Sequence, residues 1–306
     1  MNPVQALLAL LVFPGLAYAV PMGWLMLGGE RKLRARFQGR IGPPITQPFW
    51  DTVKLLAKWP APRVPGDMLM LTILPLLSVG SALGALALLP VRAGDSGFTG
   101  DLILLVTLLE LPPLCLILAG YASRSINGEV GATREAVVSI AANVPFLTAL
   151  IAMATAAGSL HISAIATGTP WSVRIPAMLA ILLCLPVKLR INPVSLANAE
   201  QEVLAGPLTE FDGRLLALWE LAHALEWVAL SGFVITLAAP FRSASGLLDG
   251  VLFVAASVAL VPLLTLLASA TARLKIGQAT RLLWRWASTV AAVALVLSIV
   301  MRQGGR

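Results

Sequence analysis

Residues 217–230 read ALWELAHALEWVAL. Every position except Glu220, His223 and Glu226 is apolar or aromatic, and the apolar run extends over Leu215–Ala238. Crossing the hydrocarbon of a bilayer takes about 20 residues of helix, so the segment is long enough to span. A charge at the bilayer centre costs on the order of 3 kcal/mol on insertion scales. The two carboxyls and the imidazole must therefore face protein or water. At about 100° per residue they fall within a sector about 120° wide, and His223 lies one turn from each carboxyl. An imidazole between two carboxyls suits a proton relay, because it titrates near neutrality. The alternative is a polar face satisfied by a Lys or Arg of a neighbouring subunit. A metal site lacks the usual further His and Cys ligands.

The rest of the chain fits that solvent. Of 306 residues, 58% are hydrophobic and 12% are charged, and the mean hydropathy is +0.86. Soluble domains carry about 25% charged residues, so lipid takes the place of water around much of this surface. Eight apolar runs have spanning length: Val4–Leu27, Leu69–Leu89, Leu102–Tyr121, Ala136–Ala157, Val173–Leu189, Leu215–Ala238, Leu247–Ala268 and Leu282–Met301. None alternates with period two, which argues against a barrel. The first run has no basic segment before it and reads as a span rather than a removable leader. The expected fold is an all-α polytopic membrane domain covering residues 1–306, with about eight transmembrane helices.

The net charge of +7 reflects topology, not nucleic-acid binding. Of the 22 Lys and Arg, 17 lie in the first, third, fifth and seventh loops, which hold 8, 2, 3 and 4 of them. Basic loops stay inside, so the odd loops are expected in the cytoplasm and both termini outside. Cys115 and Cys184 lie in apolar runs without a CxxC, and read as small buried hydrophobes. Clustered Cys or suitably placed His are absent, so cofactor chemistry is expected on partners.

Two long loops stand out. The first, Gly28–Asp67, opens with GGERKLRARFQGRIGPP and continues QPFWDTVKLLAKWP, whose Phe49, Val53, Leu55 and Leu56 recur at helical spacing. This predicts a short amphipathic helix at the membrane surface. The second, INPVSLANAEQEVLAGPLTEFDGR (191–214), gathers Glu200, Glu202, Glu210 and Asp212 on the basic side. Acidic residues do little for topology, so a wet cavity or partner surface is one explanation and a solvated loop the other. In the third loop, Arg134 and Glu135 are expected at the start of the fourth span. Glu110 is a further intramembrane acid. Pro112 and Pro113 follow it, remove two backbone donors and are expected to kink or interrupt the third span. His161 reads as an ordinary surface residue of an outer loop.

These loops, in this order, carry a resemblance. GRIGPPITQPFWDTVKLLAKWP, GATREAVVSIAANVP, NAEQEVLAGPLTEFDG and ATARLKIGQATRLLW resemble the cytoplasmic segments of the membrane subunit shared by respiratory complex I and the energy-converting nickel–iron hydrogenases. The wording GPPITQP and AEQEV…GPL is most similar to the formate hydrogenlyase branch. The resemblance implies eight spans with outer termini in an inner (plasma) membrane. It implies a non-catalytic subunit that binds no cofactor itself. Soluble iron–sulfur and large hydrogenase-like subunits would dock on the cytoplasmic loops, with a nickel–iron centre or quinone on that arm and antiporter-like membrane subunits and lipid alongside. It implies coupling of electron transfer to proton or sodium movement, with Glu110, Glu200, Glu202, Glu210, Glu220, His223 and Glu226 as proton-path candidates. Arg40, Asp51, Lys54 and Arg134 would line the arm interface or a quinone cavity between the first and fifth loops. The family usually carries Glu where this chain has Asn143. It commonly has acids where this chain has Ser195 and Asn198. Hydrogenase-type relatives often have lysines where this chain has Glu220 and Glu226. Other readings are a complex I-type quinone-site subunit, a free-standing secondary transporter, and a purely structural anchor.

Overall fold

The computed structural model describes residues 11–13, 15–59, 68–89, 101–195, 206–238 and 246–304. The helices are α1 (Leu16–Phe37), α2 (Gln47–Leu56), α3 (Met68–Leu88), α4 (Asp101–Ala122), α5 (Ile126–Ala157), α6 (Ile162–Gly168), α7 (Trp171–Lys188), α8 (Gly213–Ala238), α9 (Gly246–Ala270), α10 (Ile276–Leu282) and α11 (Ser288–Gly304). A 3₁₀ turn (Gly206–Glu210) precedes α8, and a π turn (Leu283–Ala287) joins α10 to α11. Among the described residues there is no strand, and seven helices are long and apolar enough to cross a membrane: α3, α4, α5, α7, α8, α9 and the α10–α11 rod. They match the last seven runs of the sequence. The protein is an all-α, multi-pass membrane protein.

α1 holds the second half of the first run and then continues as a helix through GGERKLRARF. The first loop therefore starts at Gln38, not Gly28. The helix persists because Glu30 and Arg34 pair one turn apart. It stops where Gly39 adopts φ +72°, the left-handed conformation that ends helices. α2 forms as expected. Pro48 and Thr52 are buried, whereas Phe49, Val53 and Leu56 are exposed. Its apolar stripe points away from the bundle, as a helix lying in a lipid interface requires.

Two expectations fail nearby. α5 begins at Ile126, so Arg134 and Glu135 sit more than two turns inside it, not at its start. The cause is a tight α4–α5 crossing, where a Cβ on Gly128 would lie 2.9 Å from the Gly120 carbonyl oxygen. The third span is also uninterrupted: α4 runs through Pro112 and Pro113, both buried. The neighbouring helices hold the segment together although two backbone donors are missing.

α8 is the hub. It packs against α1, α2, α3 and α9, and 78% of its apolar window is buried, against 28% for the α10–α11 rod. Phe146 of α5 and Phe233 of α8 meet with their rings tilted by 59° and 6.4 Å between centres. On one surface, the short helix α6 is held at both ends. Asp101 accepts the Ile162 N–H at 2.9 Å, and Arg174 donates to the Ala166 carbonyl. Negative charge at the N-terminus and positive at the C-terminus complement the helix dipole. His161 belongs to this clamp, 3.9 Å from Asp101.

On the opposite surface the odd loops meet. Arg214 donates to the Leu56 carbonyl at the end of α2 (3.2 Å) and lies 4.2 Å over Trp59. Leu274 donates to the Pro193 carbonyl at 2.9 Å. Gly131 of α5 leaves room for the 3₁₀ turn, since a Cβ there would lie 2.6 Å from Pro207 Cδ.

The α1–α8 contact is equally close: a Cβ on Gly23 would lie 2.5 Å from the Ala224 carbonyl oxygen. Overpacking of this kind costs about 1–3 kcal/mol. Gly23→Ala is therefore expected to lower the thermal midpoint of the detergent-solubilised protein, read by tryptophan fluorescence. Gly80→Ala, with nothing within 4 Å, is expected to leave it unchanged or raise it. Equal midpoints for the two variants would refute the contact.

Candidate functional site

The polar residues of α8 are pulled apart rather than gathered. Glu220, at its N-terminal end, turns toward α1 and lies 3.9 Å from Arg31. Arg31 also donates to Asp51 of α2 at 3.3 Å. These side chains, with Trp24, Leu27 and Lys54, line a cavity of ≈ 290 Å³ between α1, α2 and α8. It sits between the first loop and the start of α8.

His223 and Glu226 remain together, with His223 Nδ1 at 3.5 Å from Glu226 Oε2. The cation that satisfies them comes from the same chain. Arg190 donates to Glu226 and lies 2.8 Å from His223 Nδ1. On the other side of the ring, Trp227 Nε1 donates to His223 Nε2 at 3.3 Å. A neutral imidazole has one N–H and one lone pair. With the proton on Nε2, Nδ1 accepts from Arg190 and the indole loses its acceptor. With the proton on Nδ1, the indole bond forms and Nδ1–H turns to Glu226. The surroundings thus offer the Nε2–H tautomer the short Arg190 bond, and the Nδ1–H tautomer two longer ones, from the indole and to Glu226.

Arg190 is aimed by the end of α7. Its N–H bonds the Val187 carbonyl (3.0 Å), and Ile191 N–H bonds the Pro186 carbonyl (2.9 Å). This is a Schellman cap, whose left-handed position is usually glycine. Here Arg190 takes it at φ +53°. A side chain in that conformation costs about 1 kcal/mol, and the ion pair with Glu226, whose side chain is 1% exposed, offsets it.

Two residues before Arg190, Lys188 is the centre of a second cluster. Its side chain is 4% exposed. The ammonium donates to Glu110 of α4 and Asn143 of α5, and sits 5.0 Å from the Phe146 ring centre. Glu135 of α5 is buried within electrostatic reach of Arg190, Glu226 and Lys188, and so links the clusters. Beyond the apolar part of α1, Glu30 pairs with Arg34 and feels Arg31 and His223. Burial pushes its carboxyl above the usual range despite those cations.

From the sequence-based set the structure brings together His223 and Glu226, seats Glu110 in the neighbouring Lys188 cluster, and places Asp51, Lys54 and Glu220 at the cavity. Glu210 ends the 3₁₀ turn, and Arg134 is half-buried on α5. Arg40 is exposed and donates to Gln38. Glu200, Glu202 and Asn198 lie outside the described residues. Sequence reasoning missed Lys188, Arg190 and Glu135. The signal was present: two cations within two residues of the end of an apolar run. It was read as the basic bias of an inner loop. Among the described residues, no group of three or more His, Cys, Asp or Glu could hold a metal ion.

Comparison with known proteins places this geometry in context. The family described as NADH dehydrogenase matches residues 8–299. Hydrogenase-4 component C of Escherichia coli (strain K12) is 34% identical over 231 residues, 73% of each chain. Formate hydrogenlyase subunit 4 of the same organism is 30% identical over 275 residues, covering 85% of this chain and 89% of that one. NADH-quinone oxidoreductase subunit 8 of Thermus thermophilus is 30% identical over 252 residues, 76% and 68% of the two chains. A chain of the archaeal membrane-bound sulfane sulfur reductase, a respiratory membrane complex, superposes with a TM-score of 0.83 at 25% identity, over 96% of this chain and 98% of that one. These relatives are subunits of multi-subunit redox complexes in membranes.

Removing one partner of a buried ion pair leaves an uncompensated charge, at a cost of about 3–5 kcal/mol. Lys188→Met is expected to destabilise the protein by an amount of that order. Adding Glu110→Gln is expected to recover much of the loss, because the orphaned carboxylate is gone. Additive effects in this double-mutant cycle, read from thermal midpoints, would show that the two side chains are not coupled.

Proposed function

The chain belongs to the NADH dehydrogenase family, and from that membership we propose that it is the non-catalytic junction subunit of a hydrogenase-type, formate hydrogenlyase-like respiratory complex. It forms a single domain over residues 1–306 in the inner (plasma) membrane, with both termini outside. Its odd loops lie in the cytoplasm and anchor soluble iron–sulfur and large hydrogenase-like subunits, with Arg40, Asp51, Lys54 and Arg134 at or near that interface. The redox groups, iron–sulfur clusters with a nickel–iron centre or a quinone, belong to that arm. Antiporter-like membrane subunits and lipid flank the bundle. The electron-transfer step in the arm is coupled to movement of protons or sodium, with the acids of α4, α5 and α8 on the path and Glu200, Glu202 and Glu210 at its loop-side entry.

The observation that carries the coupling is a charge imbalance. The interior cluster sets the cations Lys188 and Arg190 against the carboxyls Glu110, Glu135 and Glu226. Full ionisation leaves one negative charge, which one added proton neutralises. Burying an unpaired charge is far more costly than binding that proton. His223, poised between two tautomers, connects this set to the cavity where Glu220 meets Arg31. Displacement of α2 by the docked arm would move Asp51 against Arg31 and change how readily a proton enters.

The neutral Asn143 supports a path that differs from that of the family's acidic members. The relatives are named as subunits of complexes, which speaks against a free-standing transporter. A quinone-site subunit is the second reading. The cavity between α1, α2 and α8 and the resemblance to the Thermus subunit favour it. Assaying the same membranes for proton reduction and for quinone reduction separates the two.

In inverted vesicles carrying the assembled complex, Glu220→Gln/Glu226→Gln is expected to abolish redox-driven proton uptake, followed with a pH-sensitive dye. Electron transfer should continue. Normal uptake in the double variant would remove the relay. Cysteines at Trp59 and Lys275 are expected to react with an impermeant thiol reagent only from the cytoplasmic side. Labelling from the outer side would overturn the docking face.

A further inference from the structure

A slot of ≈ 900 Å³ opens between α4, α5 and the end of α11. Ligand cavities typically measure about 300–1,000 Å³. Val106, Leu147, Ile151 and Leu160 are among its walls, and most of the lining is apolar. Its two ends are not. Arg302, near the end of α11, stands at the mouth, and Glu110 at the floor. The mouth also includes Ser159 and Gly158 of the turn after α5, so it lies at the membrane surface that carries α6.

The depth of the slot follows from helix geometry. Leu102 lines the mouth and Glu110 the floor, eight residues along one helix. At 1.5 Å per residue this is about 12 Å. Half of a bilayer's hydrocarbon is about 15 Å. The slot therefore spans one leaflet, polar at the surface and apolar to the midplane. Arg302 is exposed, and no described carboxylate pairs with it.

We propose that this slot binds one phospholipid with an anionic headgroup. Its phosphate would sit at the Arg302 guanidinium, and an acyl chain would lie along α4 and α5 with its end near Glu110. Charge complementarity fixes the class of lipid. An apolar slot alone would take any acyl chain, but a single cation at the headgroup level selects net negative charge. The acyl end also has a consequence for the Lys188 cluster. It keeps water from the open side of Glu110, whose side chain is 24% exposed, and so maintains the low dielectric in which the Glu110–Lys188 pair operates. The proposal stands whether or not the complex couples ion movement.

The test uses the full-length protein in phosphatidylcholine vesicles doped with a phosphatidylglycerol that carries a diazirine near one acyl end. After photolysis, peptide mapping is expected to place the label on α4 and α5 around Val106 and Leu147. The same diazirine on phosphatidylcholine should label these sites about fivefold less (about 1 kcal/mol), the attraction of one basic residue for an anionic headgroup. Arg302→Gln should remove that difference. Ile151→Trp, at an exposed slot position, should fill the cavity and suppress labelling by both lipids. Equal labelling by the two lipids in the unmodified protein would overturn the headgroup assignment. Undiminished labelling in Ile151→Trp would overturn the site. If the assembled complex loses all slot labelling while the isolated chain keeps it, a partner's helix occupies the slot, and the lipid proposal fails for the native complex.

Discussion

Lys188 is an ammonium that water does not reach, and the arrangement of α4, α5 and α7 follows from satisfying it. A lysine buried alone would lose its charge or drive the helix toward the surface. Here three donors' worth of geometry converge on Glu110, Asn143 and the Phe146 ring, one helix contributing the cation and two others its neighbours. The contact fixes the relative height of three spans at one point. Apolar packing against lipid does not do this, because sliding one greasy helix along another changes little free energy. Asn143 has a clear part in the balance. A carboxyl at that position would give Lys188 two anions to answer, and the cluster would need a further proton. The amide keeps the local charge at zero while supplying the same acceptor oxygen.

How much of this was legible follows from the same physics. The spans could be read from the sequence because twenty apolar residues in a row admit few other structures. The amphipathic helix was visible from its spacing. Its outward apolar stripe is the orientation that a helix at a membrane surface takes. Helix boundaries on the surface that carries α2 were misplaced where glycine mattered. Gly120 and Gly128 allow α4 and α5 to close on each other, and the expected third loop shrinks to a turn. Pro112 and Pro113 do not interrupt α4, since lost donors matter less where neighbouring helices pack around the segment.

The site was half legible. A carboxyl inside an apolar run is conspicuous, so Glu110, Glu220, His223 and Glu226 stood out. Their partners were hidden at the end of a run, where Lys188 and Arg190 looked like inner-loop charges. Their inward aim depends on backbone geometry that composition does not encode. Arg190 points into the bundle because the chain reverses through a left-handed residue after α7. A glycine would adopt that conformation more readily, and the arginine persists there because Glu226 and His223 answer its charge.

The two charged regions are joined mechanically as well as electrically. Arg31 lies between Asp51 on α2 and Glu220 on α8, and Arg214 at the start of α8 grips the far end of α2. α2 is thus tied to α8 at two points while its apolar stripe rests outside the bundle. Helix α8 in turn carries His223 and Glu226 as a rigid unit. A shift of α2 along the membrane surface must either strain both ties or turn the start of α8 with it. Turning α8 by a small angle changes the distances from Arg190 to both His223 and Glu226, because the Arg190 backbone belongs to the end of α7 and its two partners to α8. The Arg190–His223 contact, which bears on the imidazole tautomer, is therefore sensitive to movement of α2.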